Sequence, residues 1–183
     1  MVTKTLLQSI CASSLAASKD ETRHHLTYVR LESTTDSLVI VATNGHWLSH
    51  ITLPKDHAGD LYQLTSPLHF DSDAIKRLQA ELKLIPRYQE SIDLDLRKYS
   101  IQEDINYPNW RQFIQNKATP VHTPTIGLSG EYLTDITKFF KQLGVKRPML
   151  KLNIIDKLSP VTITANTQDL GLEAQVILMP VRV

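Results

Sequence analysis

The sequence SLVIVATNGHWLSHITLP, residues 37–54, decides the fold because it encodes two strands and the turn that joins them. Residues 37–43 are rich in β-branched side chains, which favour strands. Asn44-Gly45 follows; this dipeptide adopts positive φ at little cost and is typical of tight hairpin turns. Residues 47–53 then continue as a returning strand. The stretch therefore predicts an antiparallel β-hairpin.

Three segments around this hairpin have apolar residues at a helical spacing. They run from Thr3 to Lys19, from Ser72 to Leu84 and from Gly130 to Leu143. Pro86 stops the second segment, because proline lacks an N–H and clashes with the preceding turn. Gly144 is a typical residue just after a helix end. Each segment is expected to pack one apolar face against the core.

Between these helices the apolar pattern changes to a period near two, which predicts strands. The further strand candidates are residues 26–32, 61–70, 91–96, 99–105, 149–155, 161–165 and 172–179. A helix followed by antiparallel strands thus recurs three times, and each unit is too small to bury its own apolar face. We therefore expect an α+β fold of repeated helix-plus-strand units packed side by side. Asn116–Pro124, with two prolines and little apolar content, is the predicted linker.

The composition excludes several classes of function. The single cysteine, Cys11, excludes a disulfide framework and a thiolate zinc site. The seven histidines form no HExxH-type pair, and the sequence contains neither a GxSxG elbow nor a glycine-rich phosphate loop. We therefore predict no catalytic residues, metal or cofactor. No run of 18 apolar residues occurs, so no membrane span is expected, and the chain is predicted to be cytoplasmic.

Three short elements, in order, resemble the bacterial DNA polymerase III β sliding clamp family. Residues 42–48, ATNGHWL, resemble the ATDGHRL-like turn of its central domain, and residues 107–111, YPNWR, resemble the FPDYR element that closes that domain. Residues 176–183, VILMPVRV, are similar to the terminal VVMPMRL. The resemblance implies a DNA-clamp-like fold. It divides the chain into a domain like the central clamp domain at residues 1–116 and a half domain like the C-terminal part of the last domain at residues 123–183.

The resemblance also implies a partner-peptide pocket between these two regions. In the family this hydrophobic pocket receives short motifs of polymerases and other partners. Trp47 stands where the family usually has arginine, and Gln112 and Phe113 replace a basic and a smaller apolar residue, so an altered peptide preference is expected. The implied lining is Leu26, Thr43, Gly45, His46, Trp47, Leu48, Pro108, Ile177, Leu178, Met179, Pro180, Val181, Arg182 and Val183.

The charge is distributed unevenly although the formal net charge is only +1. Residues 131–151 contain five basic and two acidic side chains, and the other helical segments are also basic. Many basic helix faces are simply solvated. In clamps, however, helices face the phosphate backbone, and such contact is independent of sequence and sensitive to salt. The implied DNA-facing residues are Lys4, Arg23, Lys76, Arg77, Lys83, Lys138, Lys141, Lys146 and Arg147.

These observations favour a non-enzymatic, sliding-clamp-like accessory protein of DNA replication or repair, that is, a processivity factor. Its partners would be DNA, a DNA polymerase or other proteins with clamp-binding motifs, and further copies of itself. Three units per chain against twelve in a standard clamp ring predict four chains per ring. An alternative is a stand-alone peptide-binding adaptor or decoy that does not encircle DNA. An enzyme is disfavoured because no acid, base or nucleophile group stands out.

Overall fold

The computed structural model describes residues 1–57, 61, 64–101, 105–114, 126–156 and 158–181. The strands in these ranges are β1 Val2–Thr3, β2 Val29–Ser33, β3 Ser37–Thr43, β4 Trp47–Pro54, β5 Leu68–Phe70, β6 Ser91–Ile92, β7 Lys151–Asn153, β8 Val161–Thr164 and β9 Glu173–Leu178. Seven of them form one antiparallel sheet in the order β5-β2-β3-β4-β9-β8-β7, and β1 pairs with β6 in a separate two-stranded sheet.

A layer of helices covers one face of the seven-stranded sheet. The helices of this layer are α1 Lys4–Ser13, α2 Ser72–Leu84 and α4 Gly130–Gln142; the short helix α3 Arg111–Ile114 lies on the opposite face of the sheet. Helix α1 lies in the middle and packs against both α2 and α4. The side chains of Thr3, Asp71 and Ser129 accept hydrogen bonds from backbone N–H groups of the first turns of α1, α2 and α4. These caps satisfy donors that have no partner within the helix.

The hairpin of β3 and β4 is confirmed, and it is central to the sheet. Its register runs from Ser37 opposite Pro54 to Thr43 opposite Leu48. Side chains alternate between the two faces, so Ile40 points to the helices and into the main core. Val41 points to the opposite face, which we call the outer face of the sheet.

Pairing between β4 and β9 joins the two parts of the chain. Six residue pairs connect the strands, from Trp47 opposite Leu178 to Thr52 opposite Glu173. The sheet is therefore continuous from β5 to β7. The predicted linker Asn116–Pro124 lies outside the described residues, and the division into regions 1–116 and 123–183 stays a prediction.

The helices agree closely with their predictions. Helix α2 has the predicted bounds, and α4 ends one residue before the predicted Leu143. The first helix is shorter than predicted, because it ends at Ser13 and a 3₁₀ turn follows over Ser14–Ala16. The Ser14 hydroxyl donates to the Cys11 carbonyl at 2.7 Å and so occupies an acceptor at the helix end.

Several strands are shorter than predicted. Of the candidate over 61–70, only Leu68–Phe70 is a strand among its described residues. Of 91–96, only Ser91–Ile92 is a strand, because the Asp95 carboxylate accepts from the Arg97 N–H and starts a 3₁₀ turn. The described part of 99–105 contributes a single bridge, from Ile101 to His69. Residues 26–28 precede β2, which begins at Val29.

The α+β class with antiparallel sheets is confirmed. None of the helices in the described ranges is long and apolar enough to span a bilayer.

Candidate functional site

A concave, mostly apolar pocket lies beside the turn between β3 and β4. One side of it, which we call the strand wall, comes from the 3₁₀ segment before β2, from this turn and the residues on either side of it, and from the end of β9. Its members are Leu26, Thr43, Gly45, His46, Trp47, Leu48, Ile177 and Met179.

The turn of the strand wall is fixed by its own hydrogen bonds. The Asn44 Oδ1 atom accepts from the N–H groups of His46 at 2.9 Å and Trp47 at 3.1 Å. The Thr43 hydroxyl donates to the Trp47 carbonyl and accepts from the Gly45 N–H. Gly45 has a φ of +88°, a conformation that L side chains rarely adopt. These contacts explain why the Asn-Gly dipeptide forms the predicted bend here.

The C-terminal tail runs beside this bend. Leu178 pairs with Trp47, and the Met179 N–H continues the ladder by donating to the His46 carbonyl at 3.0 Å. The Met179 side chain is 40% exposed at the pocket. Backbone pairing therefore holds the two halves of the strand wall together, although 130 residues separate them in sequence.

The second side of the pocket is residues 105–114, which we call the covering segment because it crosses the outer face of the sheet. It contributes Pro108, Trp110, Gln112 and Phe113 to the lining. Trp110 is its main anchor: the ring is 5% exposed and packs into a small apolar cluster on the outer face. The other buried members of this cluster are Val39, Val41, Leu48 and Ile177.

Side-chain contacts hold the covering segment in place. Glu32, only 6% exposed, receives Arg111 from the covering segment on one carboxylate oxygen and Arg30 on the other at 3.0 Å. The Tyr107 hydroxyl donates toward the Val41 carbonyl at 3.3 Å, and the Arg30 guanidinium lies 5.4 Å from the Tyr107 ring centre. Burial raises the pKa of the Tyr107 hydroxyl well above its usual range, so it stays a donor.

His50 supports the covering segment from below. Its ring centre lies 5.1 Å from that of Trp110, and its Nδ1 atom is 3.3 Å from the Gln175 amide nitrogen. Burial, together with the positive charge of Arg111, lowers the pKa of His50 from 6.5 to about 4. The imidazole is therefore neutral at physiological pH and does not bring a charge under the pocket.

The chemistry of this pocket is that of recognition. Its volume is about 250 Å³, below the roughly 300–1,000 Å³ of typical small-molecule sites. The lining combines methionine, aliphatic and aromatic side chains with a few hydroxyl and amide groups. Such a surface suits the apolar side chains of an extended peptide. No group of three or more His, Cys, Asp or Glu side chains within the described ranges is arranged to hold a metal ion.

The structure brings together nine of the residues that sequence analysis named for this pocket: Leu26, Thr43, Gly45, His46, Trp47, Leu48, Pro108, Ile177 and Met179. The lining also contains Trp110, which the sequence analysis named only as part of the YPNWR element. Gln112 and Phe113 complete it. Trp110 belongs to the YPNWR element, and Gln112 and Phe113, which follow it directly, were named above as departures from the family pattern that would alter the peptide preference.

Three other named residues, Leu178, Pro180 and Val181, do not line the pocket. Leu178 is fully buried in the main core, because its position in β9 points it to the helices. Pro180 and Val181 lie past the lining, and the Val181 N–H donates to the Gly127 carbonyl at 2.9 Å. Arg182 and Val183 lie outside the described residues.

Trp47 faces mainly away from the pocket. Its side chain is 2% exposed and meets the Phe139 ring edge-on at a centroid distance of 6.2 Å. The parity of β4 puts Trp47 on the helix side together with Ile51. Trp47 is part of the pocket lining, but most of its side chain packs in the main core against α4, and its contribution of a large apolar face to the pocket stays a prediction.

The basic residues named for DNA contact fall into two groups. Most of them belong to the helix layer or follow it directly. The exposed ones are Lys76, Arg77 and Lys83 of α2, Lys138 and Lys141 of α4, and Lys146 and Arg147 just after α4. Lys4, at the start of α1, is half-buried. Arg23 is elsewhere. It lies beside Gly45 at the pocket, with its Nε atom 3.7 Å from the Asp20 carboxylate.

The same fold occurs in bacterial clamps of known structure. The DNA polymerase III β subunit of Thermotoga maritima superposes with a TM-score of 0.68 at 14% identity. The sliding clamp of Caulobacter crescentus gives 0.69 at 14%, and that of Bartonella birtlesii, solved bound to griselimycin, gives 0.67 at 16%. Each comparison covers all of this chain and 65% of the clamp chain. At these identities the likeness shows the fold, which is that of a DNA sliding clamp.

The sequence itself narrows this class to one family. Residues 1–101 match the family described as DNA polymerase III beta subunit, central domain. The match covers more than half of the chain, and the chain therefore belongs to the DNA polymerase III β subunit family. The resemblance deduced from the three short elements is confirmed. No curated protein sequence matches the chain.

Proposed function

We propose that this protein is a non-enzymatic, clamp-type accessory factor of DNA replication or repair, acting in the cytoplasm. In this role it binds a peptide segment of a DNA polymerase or of another clamp-binding partner in the pocket between the strand wall and the covering segment. Copies of the chain associate so that the helix layer faces DNA. The observation that carries the proposal is the pocket itself, built where β9 joins the β3–β4 turn.

The character of the pocket supports peptide binding. Met179 and Phe113 are part-exposed apolar side chains at its rim, and Leu48 and Ile177 form a buried floor. Part-exposed methionine adapts to different ligands, because it is unbranched and polarisable. A partner's apolar side chain gains by leaving water for this surface.

The helix layer supports DNA contact through phosphates. Its exposed cations belong to α2 and α4, on either side of α1, and lie on the face opposite the covering segment. Lys76 is 2.8 Å from Asp73 and Lys138 is 2.9 Å from Asp135, so these two are partly neutralised. No ion pair is formed by Lys83 or Lys141 within the described residues, which leaves their full charge for phosphates.

Met179→Ala tests the pocket. Griselimycin, the compound bound to the Bartonella clamp, serves as the probe in titration calorimetry. The substitution is expected to weaken binding by roughly 1–3 kcal/mol, since it removes a side chain that the ligand buries. Stability should change little, because Met179 is already part-exposed. Met149→Ala is the matched control, as Met149 is exposed and outside the lining. Equal affinities for the two variants would contradict the pocket assignment.

Retention on closed circular DNA tests encirclement. A clamp that surrounds DNA stays on a closed circle and slides off after the circle is cut. Lys83→Gln with Lys141→Gln should lower retention and reduce the slope of log affinity against log salt by about one per lost phosphate contact. Lys98→Gln, which removes an exposed cation outside the helix layer, is the control. Equal retention on circular and linear DNA would instead support the stand-alone adaptor.

A further inference from the structure

The seven-stranded sheet ends at β7 with an open edge. Among the described residues β7 pairs only with β8, and all three of its residues are exposed. The other end of this sheet is different, because β5 is bridged to Ile101, whose N–H donates to the His69 carbonyl at 2.8 Å. An open strand edge is a template on which another strand can pair.

Apolar side chains are exposed along this edge. Met149, just before β7, is 73% exposed, and Leu158, between β7 and β8, is 75% exposed. Leu152 of β7 lies opposite Ile163, which belongs to the main core, so it points to the helix side of the sheet. It is nevertheless 39% exposed, since no described strand lies beyond it. Clustered exposed apolar side chains of this kind mark interaction surfaces.

The segment that carries β7 is basic. Residues 144–155 include Lys146, Arg147 and Lys151, all exposed, and no acidic side chain. None of these three cations forms an ion pair with another described residue. Residues 158–168, which include the neighbouring strand β8, contain no charged side chain at all.

The acidic side chains nearest along the chain do not cancel this charge. The Asp156 carboxylate accepts from the Leu158 N–H at 2.7 Å and from the Ser159 hydroxyl at 2.6 Å, so it is engaged in the turn before β8. Asp169 is exposed after β8. With these two included, residues 144–169 have four basic and two acidic side chains. Helix α4, which precedes them, has two of each. The β7 edge is therefore positive.

The register of β7 specifies the strand that fits beside it. Lys151 lies opposite Thr164, and Thr164 lies opposite Gln175, in a row across the outer face of the sheet. A strand added next to β7 places its side chains alternately on the outer face and on the helix side. Acidic side chains on its outer face would lie beside Lys151, and apolar side chains on its other face would cover Leu152.

We propose that β7 is a second docking site, which takes an extended segment of alternating acidic and apolar residues from a partner protein as an added strand. Backbone hydrogen bonds align such a segment, and the alternating side chains give the specificity. Pairing of β7 with β7 of a second copy is disfavoured, because it would bring two basic segments together. The inference goes beyond the proposed function, since neither Met149 nor the residues of β7 belong to the pocket lining.

Three labelled peptides test the pairing by fluorescence anisotropy. The probe EVEVEVE has the proposed alternation and should bind saturably. KVKVKVK has the same alternation with the opposite charge, and EVEPEVE has a central proline that cannot donate to a strand ladder. Each of these two should bind at least about tenfold more weakly. Equal affinities for EVEVEVE and EVEPEVE would overturn the proposal, because charge alone would then account for binding.

Charge reversal on the protein assigns the peptide to β7. Lys151→Glu should weaken binding of EVEVEVE by about tenfold and strengthen binding of KVKVKVK, which a folding defect would not produce. Lys98→Glu is the matched control, because Lys98 is an exposed cation of the 3₁₀ turn Leu96–Lys98, outside this segment. Equal effects of the two substitutions on EVEVEVE would overturn the proposal.

Three further results separate this site from the other occupants. Met179→Ala should leave EVEVEVE binding unchanged, and a loss would place the peptide in the pocket. A dimer that Lys151→Glu dissociates and EVEVEVE does not would assign the edge to a second copy. Weaker DNA retention by Lys151→Glu with unchanged peptide affinity would assign it to phosphates. Each of these three results would overturn the β7 site, whereas absence of griselimycin binding would refute only the pocket.

Discussion

The strand wall and the covering segment form one pocket in two different ways. The strand wall is part of the sheet: β4 and β9 share a ladder of six residue pairs, and the turn is closed by side-chain hydrogen bonds. The covering segment makes no strand pairing with the sheet among its described residues. It depends on the Trp110 ring, the Tyr107 hydroxyl and the ion pair of Arg111 with Glu32. We therefore expect the strand wall to be rigid and the covering segment to open locally without unfolding of the sheet.

The largest effect expected from this comparison is that of Trp110→Ala. The Trp110 indole nitrogen has no hydrogen-bond partner in the described part of the chain, so packing and the overlying Arg111 are what hold it. Its removal should lower the local opening free energy of residues 105–114 by about 3 kcal/mol. Hydrogen exchange with mass analysis should show lost protection there and near-native protection in β3 and β4.

Phe113→Ala is the control for Trp110→Ala. Phe113 is 37% exposed, so its loss changes the rim of the pocket without removing the anchor. Equal loss of protection in β4 and in residues 105–114 of Trp110→Ala would break the comparison, since both walls would then unfold together.

The next effect concerns the ion pairs of Glu32. Glu32→Ala leaves Arg30 and Arg111 without their shared carboxylate, and Arg30 is largely buried. The free energy of unfolding in urea should fall by about 2–3 kcal/mol. Asp135→Ala removes the exposed pair with Lys138 and should cost no more than about 0.5 kcal/mol. Similar losses for both variants would mean that the two ion pairs of Glu32 contribute no more to the free energy of unfolding than an exposed pair.

A smaller effect on the free energy of unfolding is expected from a fall in pH, because His50 is buried in its neutral form. Its folded pKa is about 4, whereas the unfolded chain takes up this proton near pH 6.5. The unfolded state therefore binds more protons between these values, and stability is lost as the pH falls through this window. The expected loss between pH 7 and pH 4.5 is about 2 kcal/mol. The His50→Asn variant lacks this titrating group, so its loss of stability between the same two pH values should be smaller by about 2 kcal/mol. Urea unfolding at pH 7 and pH 4.5 measures both losses. Equal losses in the two proteins would contradict the lowered pKa of His50.

The smallest effect expected is that of Gly45→Ala in the strand wall. An alanine at a φ of +88° is strained, which should cost about 1 kcal/mol. The added Cβ itself would meet only Arg23 and Leu26 at ordinary contact distances. Gly130→Ala, at a helix start with open space around it, should change stability by less than about 0.5 kcal/mol. Thermal unfolding of the two variants checks this, and equal midpoints would mean that the turn relaxes freely.

The parts of the structure that were predicted correctly depend on local patterns. The β3–β4 hairpin and helix α2 have the predicted bounds or nearly so, because the Asn44-Gly45 turn, the Asp71 cap and Pro86 act within a few residues. The short strands were predicted too long, since a local signal such as the Asp95 side chain ended β6 early. The site residues came from the family resemblance, which rests on ATNGHWL, YPNWR and VILMPVRV; the spacing of the residues alone did not reveal a pocket.

The sequence by itself determined the helix-plus-strand units, the bend at Gly45 and the family. Only the tertiary structure decided which side of the sheet each side chain occupies. Trp47 and Leu178 pack in the main core on the helix side of the sheet, whereas Trp110 packs on the outer face and lines the pocket. The physical reason is that strand pairing and packing between distant segments fix these orientations, and no local pattern in the chain encodes them.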